Sequence, residues 1–242
     1  MALVSSAALA VVAVAMAVVG LRAWPLWRAL RHVRPATPER LVAAARDGRF
    51  DGRIVALAGP ASAGPEGLLV SAINQVNCVW HRHTVHRRRI YYRTTAGGGV
   101  SQRASIPRRV AHAASTEPFR LGDVEVRPLG MRVHRPLACA PRILPALATE
   151  PFPEAEALMG RPPYLYRHRE WVLRPGTPLF VLGQVRSIGS RVTLRRPARG
   201  PHIISTWPVG RLRVWSAVVA LGALALAGVA GIAAIVMLIV LG

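Results

Sequence analysis

The chain has 242 residues, 52% of them apolar, and a formal net charge of +21 in which every basic side chain is arginine. Its two cysteines, Cys78 and Cys139, allow at most one disulfide and exclude a cysteine-built zinc site, so both read as free core thiols and no cofactor is expected. Two long apolar runs leave enough residues between them for one domain of ordinary size.

The first run, from Leu3 to Leu21, contains no charge and no preceding arginine. A cleaved signal peptide carries a basic start, so an uncleaved membrane anchor is favoured over one. Arg22, Arg28, Arg31 and Arg34 follow, with Trp24 and Trp27 as interfacial anchors. Thr37, Pro38 and Glu39 then spell a helix start: a capping hydroxyl, a proline at the first helical position and an acid at the positive end. Leu41, Val42 and Ala45 give that helix a thin apolar stripe, and Gly48 is its expected stop.

From Arg53 onward short apolar runs bounded by Gly and Pro predict strands: 53–59, 67–71 and a long one over 77–92. The segment from Thr94 to Ser115, which includes Gly97, is small and polar and predicts a mobile loop. Strands are expected again over 118–126 and 131–134. An irregular, Pro- and Ala-rich excursion over 136–163 then carries Glu150, Glu154 and Glu156. Tyr164–Leu173 and Leu179–Val185 flank Arg174-Pro175-Gly176-Thr177, which predicts a hairpin closed by a type II turn. Strands over 191–194 and 201–205 precede the second apolar run, Trp215 to Gly242, which exceeds the roughly 20 residues that a helix needs to cross about 30 Å of hydrocarbon.

The expected organisation is a transmembrane helix over 1–22, a juxtamembrane linker with a short helix over 23–50, a β-rich domain over 51–208 and a second transmembrane helix over 214–242. The fold class is a mainly β, α+β soluble domain closing as a partial β-barrel between the two helices. Because the arginines lie between the runs, the positive-inside rule puts the domain in the cytoplasm and both termini outside. The chain stops at Gly242, so nothing is expected beyond the second crossing. Ala10, Ala13, Ala17 and Gly20 in one helix, and Ala223, Ala227 and Gly231 in the other, are spaced for close helix–helix packing.

Arg87, Arg88 and Arg89 are the candidate lipid- or anion-binding residues, with Tyr91 and Tyr92 beside them. A basic domain tethered at a membrane is drawn to anionic lipid headgroups first and to nucleic acid only second; a solvated surface shaped by coding bias is the competing reading. His81, His83, His86 and Cys78 invite a metal. Strand alternation places His81 and His83 on one face and Cys78 and His86 on the other, so no metal is expected. Asp123 and Glu170 are acids inside strand-like segments without a second carboxylate, and pairing with arginine inside the domain is their expected role. No catalytic residue is identified; an enzyme is the rival class, and a protein partner is expected but not named by any residue.

The succession LLVSAINQVNCVWHRHTV, PFRLGDVEVRPLGMRV, YLYRHREWVLRPGTPLFVLGQV and HIISTW before a final anchor resembles the GIDE-type, or beside-a-membrane, domain of the mitochondrial membrane-anchored E3 ubiquitin ligases and their prokaryotic relatives. The resemblance spans roughly Arg53 to Gly242 and is most specific around Glu170, Pro175, Gly176 and Gly183, with Cys78 and Asp123 as looser matches. It implies a structural role for those six residues, a domain seated beside a membrane, and a bacterial cell membrane as its setting. In the eukaryotic ligases a zinc-binding RING of about eight Cys and His ligands performs the transferase chemistry; this sequence holds no such set, so E3-type activity is not expected from its own residues. The family domain faces the intermembrane space, whereas the arginines here point to the cytoplasm.

Overall fold

A computed structural model describes residues 2–46, 50–94, 100–145, 164–189 and 191–241. The chain is α+β with about 39% strand, two helices flanking the sheet domain and a closed five-strand barrel. The partial barrel read from the many short strands is therefore present, and it is closed. The chain divides into two compact units. One comprises Met1–Gly59, Gly130–Arg135 and Pro178–Gly242; the other comprises Pro60–Leu129 and Pro136–Thr177.

The first unit contains helices α1 (Ala2–Leu30), α2 (Pro38–Arg46) and α3 (Val209–Leu241). Segments Ala7–Leu30 and Val209–Val240 are long and apolar enough to cross a membrane. At 1.5 Å per residue α1 measures about 44 Å and α3 about 50 Å, so both outrun the hydrocarbon. The surplus turns are used inside the domain. Leu30 and Leu212 are buried in a cluster with Ala56, Phe180, Leu182 and Ile203, with Leu26, Ala29, Val209 and Trp207 packed against it. That is why α1 runs on to Leu30, past the end of the apolar run at Leu21.

The two long helices are antiparallel. A Cβ on Gly20 would lie 2.7 Å from Leu224 Cγ and 3.1 Å from the Ala220 carbonyl. Nearer the domain, Arg213 Nε donates to the Leu30 carbonyl at 3.1 Å, and another guanidinium nitrogen donates to the Val33 carbonyl at 3.2 Å. The last carbonyls of a helix lack internal partners and carry the negative end of its dipole, so a cation there satisfies both. Small residues make the close approach possible: Ala220, Ala223 and Ala234 are buried, as is Gly20, while Ala10 is exposed.

Helix α2 starts as its sequence dictates. Hydrogen bonds from its own backbone and from Thr37 hold the Glu39 carboxyl below its ordinary pKa. The expected stop, Gly48, lies outside the described residues. Strands of this unit are β9 (Val133–His134), β13 (Pro178–Ile188), β14 (Arg191–Arg195) and β15 (Ile203–Ser205), with the first part of β1 (Ile54–Ser62). β13 pairs antiparallel with β14 and with β15, and β15 runs parallel to β9.

The second unit holds β2 (Leu69–Val70), β3 (Asn77–Cys78), β4 (Trp80–Thr94), β5 (Val100–Ala104), β6 (Arg108–Ala114), β7 (Phe119–Leu121), β8 (Val124–Val126), β10 (Leu137–Ala138), β11 (Arg142–Pro145) and β12 (Tyr164–Leu173). Its spine is the antiparallel pair β4–β12, in register from Tyr164 opposite Arg89 to Leu173 opposite Trp80. β5 and β6 pair with β4, and β10 and β11 with β12.

Two sequence expectations are corrected here. The segment 94–115 is not one loop: β5 and β6 lie within it. Every residue of β6 is exposed, so neither face imposes apolar alternation and a paired strand reads as loop. Residues 95–99, Gly97 among them, lie outside the described residues, as do 146–163 with Glu150, Glu154 and Glu156. Second, Arg174–Thr177 turns the chain but closes no hairpin. Gly176 has φ +79° and Thr177 N–H donates to the Arg174 carbonyl at 3.2 Å, as in a type II turn. Such turns splay their flanking strands. β12 and β13 accordingly pair elsewhere, in different sheets, and the turn is held by reciprocal backbone hydrogen bonds with Ala61 at 2.7 and 2.9 Å.

Candidate functional site

The spine of the second unit places its polar residues by alternation. On one face, Glu170 stands opposite His83, Val172 opposite His81, and His168 opposite Val85. On the other, Trp171 stands opposite Arg82, Arg169 opposite Thr84, and Arg167 opposite His86.

Glu170 is 1% exposed. Its carboxylate accepts from Ser71 Oγ at 3.0 Å, Ile73 N–H at 3.0 Å, Asn74 N–H at 2.9 Å and Asn74 Nδ2 at 2.9 Å. Burial pushes its pKa up, but the donors from Ile73, Asn74 and Ser71 outweigh burial and hold it below the ordinary carboxylate value. The expected arginine partner is replaced by these donors from the loop between β2 and β3. That loop is shaped around the same anchor: Val76 N–H donates to Ser71 Oγ at 3.1 Å, and Gln75 takes φ +54°. Glu170 is thus an internal anchor, with three donors on Oε2 and one on Oε1.

Burial lowers the His81 and His168 pKa values, and His83 lowers each further; Glu170 opposes this only at His81. Among the described residues no group of three or more His, Cys, Asp or Glu is placed to hold a metal ion. Cys78 is fully buried, and burial followed by the charge of Glu170 raises its thiol pKa to about 11. Cys139 is only half-buried, with its thiol also raised, by burial first. Both are free.

The opposite face is basic. A cleft of about 290 Å³ is lined by His86, Arg88, Pro107, Arg167 and Arg169. A neighbouring cleft of about 260 Å³ shares Arg167 and Arg169 and adds Cys139, Glu170 and Trp171. Among the described residues no acidic side chain lines the first. Half-buried Arg82 covers Trp171, its guanidinium carbon 4.7 Å from the ring centroid.

Strand alternation separates the three arginines singled out from the sequence. Arg88 faces the basic cleft. Arg87 and Arg89 belong to the other face, where Arg87 lies 4.8 Å over Tyr164 and Arg89 5.2 Å over Tyr91. The side chain of Tyr92 lies outside the described residues. The remaining motif residues are dispersed. Asp123 is exposed in the β7–β8 turn beside Gly122, whose φ is +56°. Pro175 and Gly176 form the corner after β12. Gly183 lies in β13, where a Cβ would sit 3.0 Å from the Arg195 carbonyl. Sequence reasoning missed His86, Arg167 and Arg169 as one set; the only signal was the alternation Arg167-His168-Arg169, and it gains meaning only once β12 is registered against β4.

The family model described as GIDE, E3 ubiquitin ligase, matches residues 150–235, from ahead of β12 into α3. The chain therefore carries a GIDE-type segment, narrower than the stretch over which its motifs resemble that family. No curated protein and no solved structure matches the chain.

Proposed function

We propose that this two-span protein presents its GIDE-like β domain at the membrane surface as a binding module for phosphate-bearing polyanions, anionic lipid headgroups foremost. The observation that carries this reading is the cleft of Arg88, Arg167, Arg169 and His86, which no acidic side chain lines among the described residues. Like charges gathered on neighbouring strands destabilise a sheet, so three guanidiniums without a carboxylate fit a site completed by an external anion. The net charge of +21 adds a long-range attraction of the same sign.

The test uses the full chain in phosphatidylcholine nanodiscs. It is titrated with vesicles that contain or lack phosphatidylglycerol and, separately, with inorganic tripolyphosphate. Anionic vesicles should bind and be released by salt; neutral vesicles should not. Near an anionic surface each arginine contributes about 1 kcal/mol, so Arg88→Gln with Arg167→Gln and Arg169→Gln should weaken binding by up to roughly 3 kcal/mol. Replacing Arg87 and Arg89 instead should cost less, because they belong to the other face. Tripolyphosphate binding without vesicle binding would identify a soluble anion as the ligand. Equal binding to neutral vesicles would refute the reading.

The description of the matched family favours a second reading, in which the chain supplies the membrane and domain part of a ubiquitin-transferring assembly. Discharge of ubiquitin from a charged conjugating enzyme by the purified chain, alone or with a copurifying RING protein, would establish it.

A further inference from the structure

We propose that a cavity where the two long helices enter the first unit holds the headgroup end of one anionic glycerophospholipid. The site is separate from the basic cleft of β4 and β12 and shares no residue with it. The cavity measures about 660 Å³, within the range of small-molecule sites. Its walls come from α1, from α3, from Arg132 ahead of β9 and from the segment leading into β15.

On α1 the wall runs from Val19 through Arg22 to Ala23, Pro25 and Leu26, and on α3 it is Val219 and Trp215. Val19 and Arg22 lie on one face of α1, one turn apart, and Val219 and Trp215 do the same on α3. Ala23, Pro25 and Leu26 continue an apolar wall on the domain side of Arg22, but Val19 is farther from the sheet domain than Arg22, and Val219 farther than Trp215. This is the order of acyl chain and headgroup in a leaflet, with an indole at the boundary. Arg132 and His202 also line the cavity. Among the described residues no acidic residue lines the cavity, and neither Arg22 nor Arg132 has a carboxylate partner. Two guanidiniums and an imidazole around a volume with a mostly apolar lining complement a phosphodiester that carries hydrocarbon. A free phosphate would match the arginines but leave the apolar walls uncovered.

Native mass spectrometry of the full-length, delipidated protein in detergent tests this, with phosphatidylglycerol and phosphatidylcholine offered in equal amounts. One phosphatidylglycerol should be retained in preference to phosphatidylcholine. Arg22→Gln with Arg132→Gln should reduce that preference at least about tenfold, and Arg22→Lys with Arg132→Lys should largely preserve it. Val219→Trp leaves both arginines and fills space at the apolar wall; it should also expel the lipid. Should the glutamine pair fail to fold, the Val219→Trp chain decides alone. Equal retention of the two lipids, undiminished retention in the Gln or Trp variants, or displacement by equimolar glycerol 3-phosphate would overturn the proposal.

Discussion

Glu170 shows how a single buried charge is kept without a counter-ion. Four donors from Ser71, Ile73 and Asn74 hold it, so its removal strands the donors rather than a cation. Glu170→Ala should therefore cost on the order of 3 kcal/mol or more, since each unsatisfied buried donor costs about 1–3 kcal/mol. The pH dependence has a definite sign. A carboxyl whose folded pKa is depressed contributes stability that is present above its unfolded pKa and is lost as pH falls through the folded value. Thermal unfolding of the parent should weaken over that acidic window, and Glu170→Gln should flatten the dependence; an unchanged slope would remove Glu170 from the account. Gly176 is a different case. With φ +79° and no atom within 4 Å of an added Cβ, its constraint is torsional rather than a clash. Gly176→Val should cost roughly 1–3 kcal/mol in thermal unfolding, Gly176→Ala toward the lower end.

At the scale of elements, Arg213 ties α3 to the end of α1 through two carbonyls. Charge-assisted hydrogen bonds of this kind are worth about 1.5–3 kcal/mol. Arg213→Met keeps the stem but not the donors, and should lower the melting temperature and increase hydrogen exchange at the end of α1, near Val33. The elements also show what could be read in advance. The apolar runs, the capped start of α2 and strands with one buried face were legible, because burial writes itself into periodicity. β5 and β6 were not: β6 is exposed along its whole length and leaves no pattern. The turn at Pro175-Gly176 was legible as a turn, but the partners of its strands were not, because pairing depends on register with distant strands. For the same reason Glu170 stood out in the sequence while Ser71 and Asn74, nearly a hundred residues earlier, did not.

At the scale of the molecule, the arginines confined between the two spans set an expected orientation, with the β domain in the cytoplasm and both ends outside. In a Cys139→Ser background, cysteines placed at Leu3 and Leu241 should react with an impermeant reagent in intact cells, and Asp123→Cys, on its exposed turn, should react only after lysis. The reverse pattern would invert the topology.

The contact between Arg213 and Leu30 also constrains the order of events on the ribosome. Its two ends are 183 positions apart. At roughly 5–20 residues per second, about 10–40 s separate the synthesis of the first helix from that of the residue that closes its end. Through that interval the Leu30 carbonyl has the Val33 N–H, 3.3 Å away, but not the guanidinium. The whole β domain is synthesised before Arg213, so this contact can close only after every strand has been made.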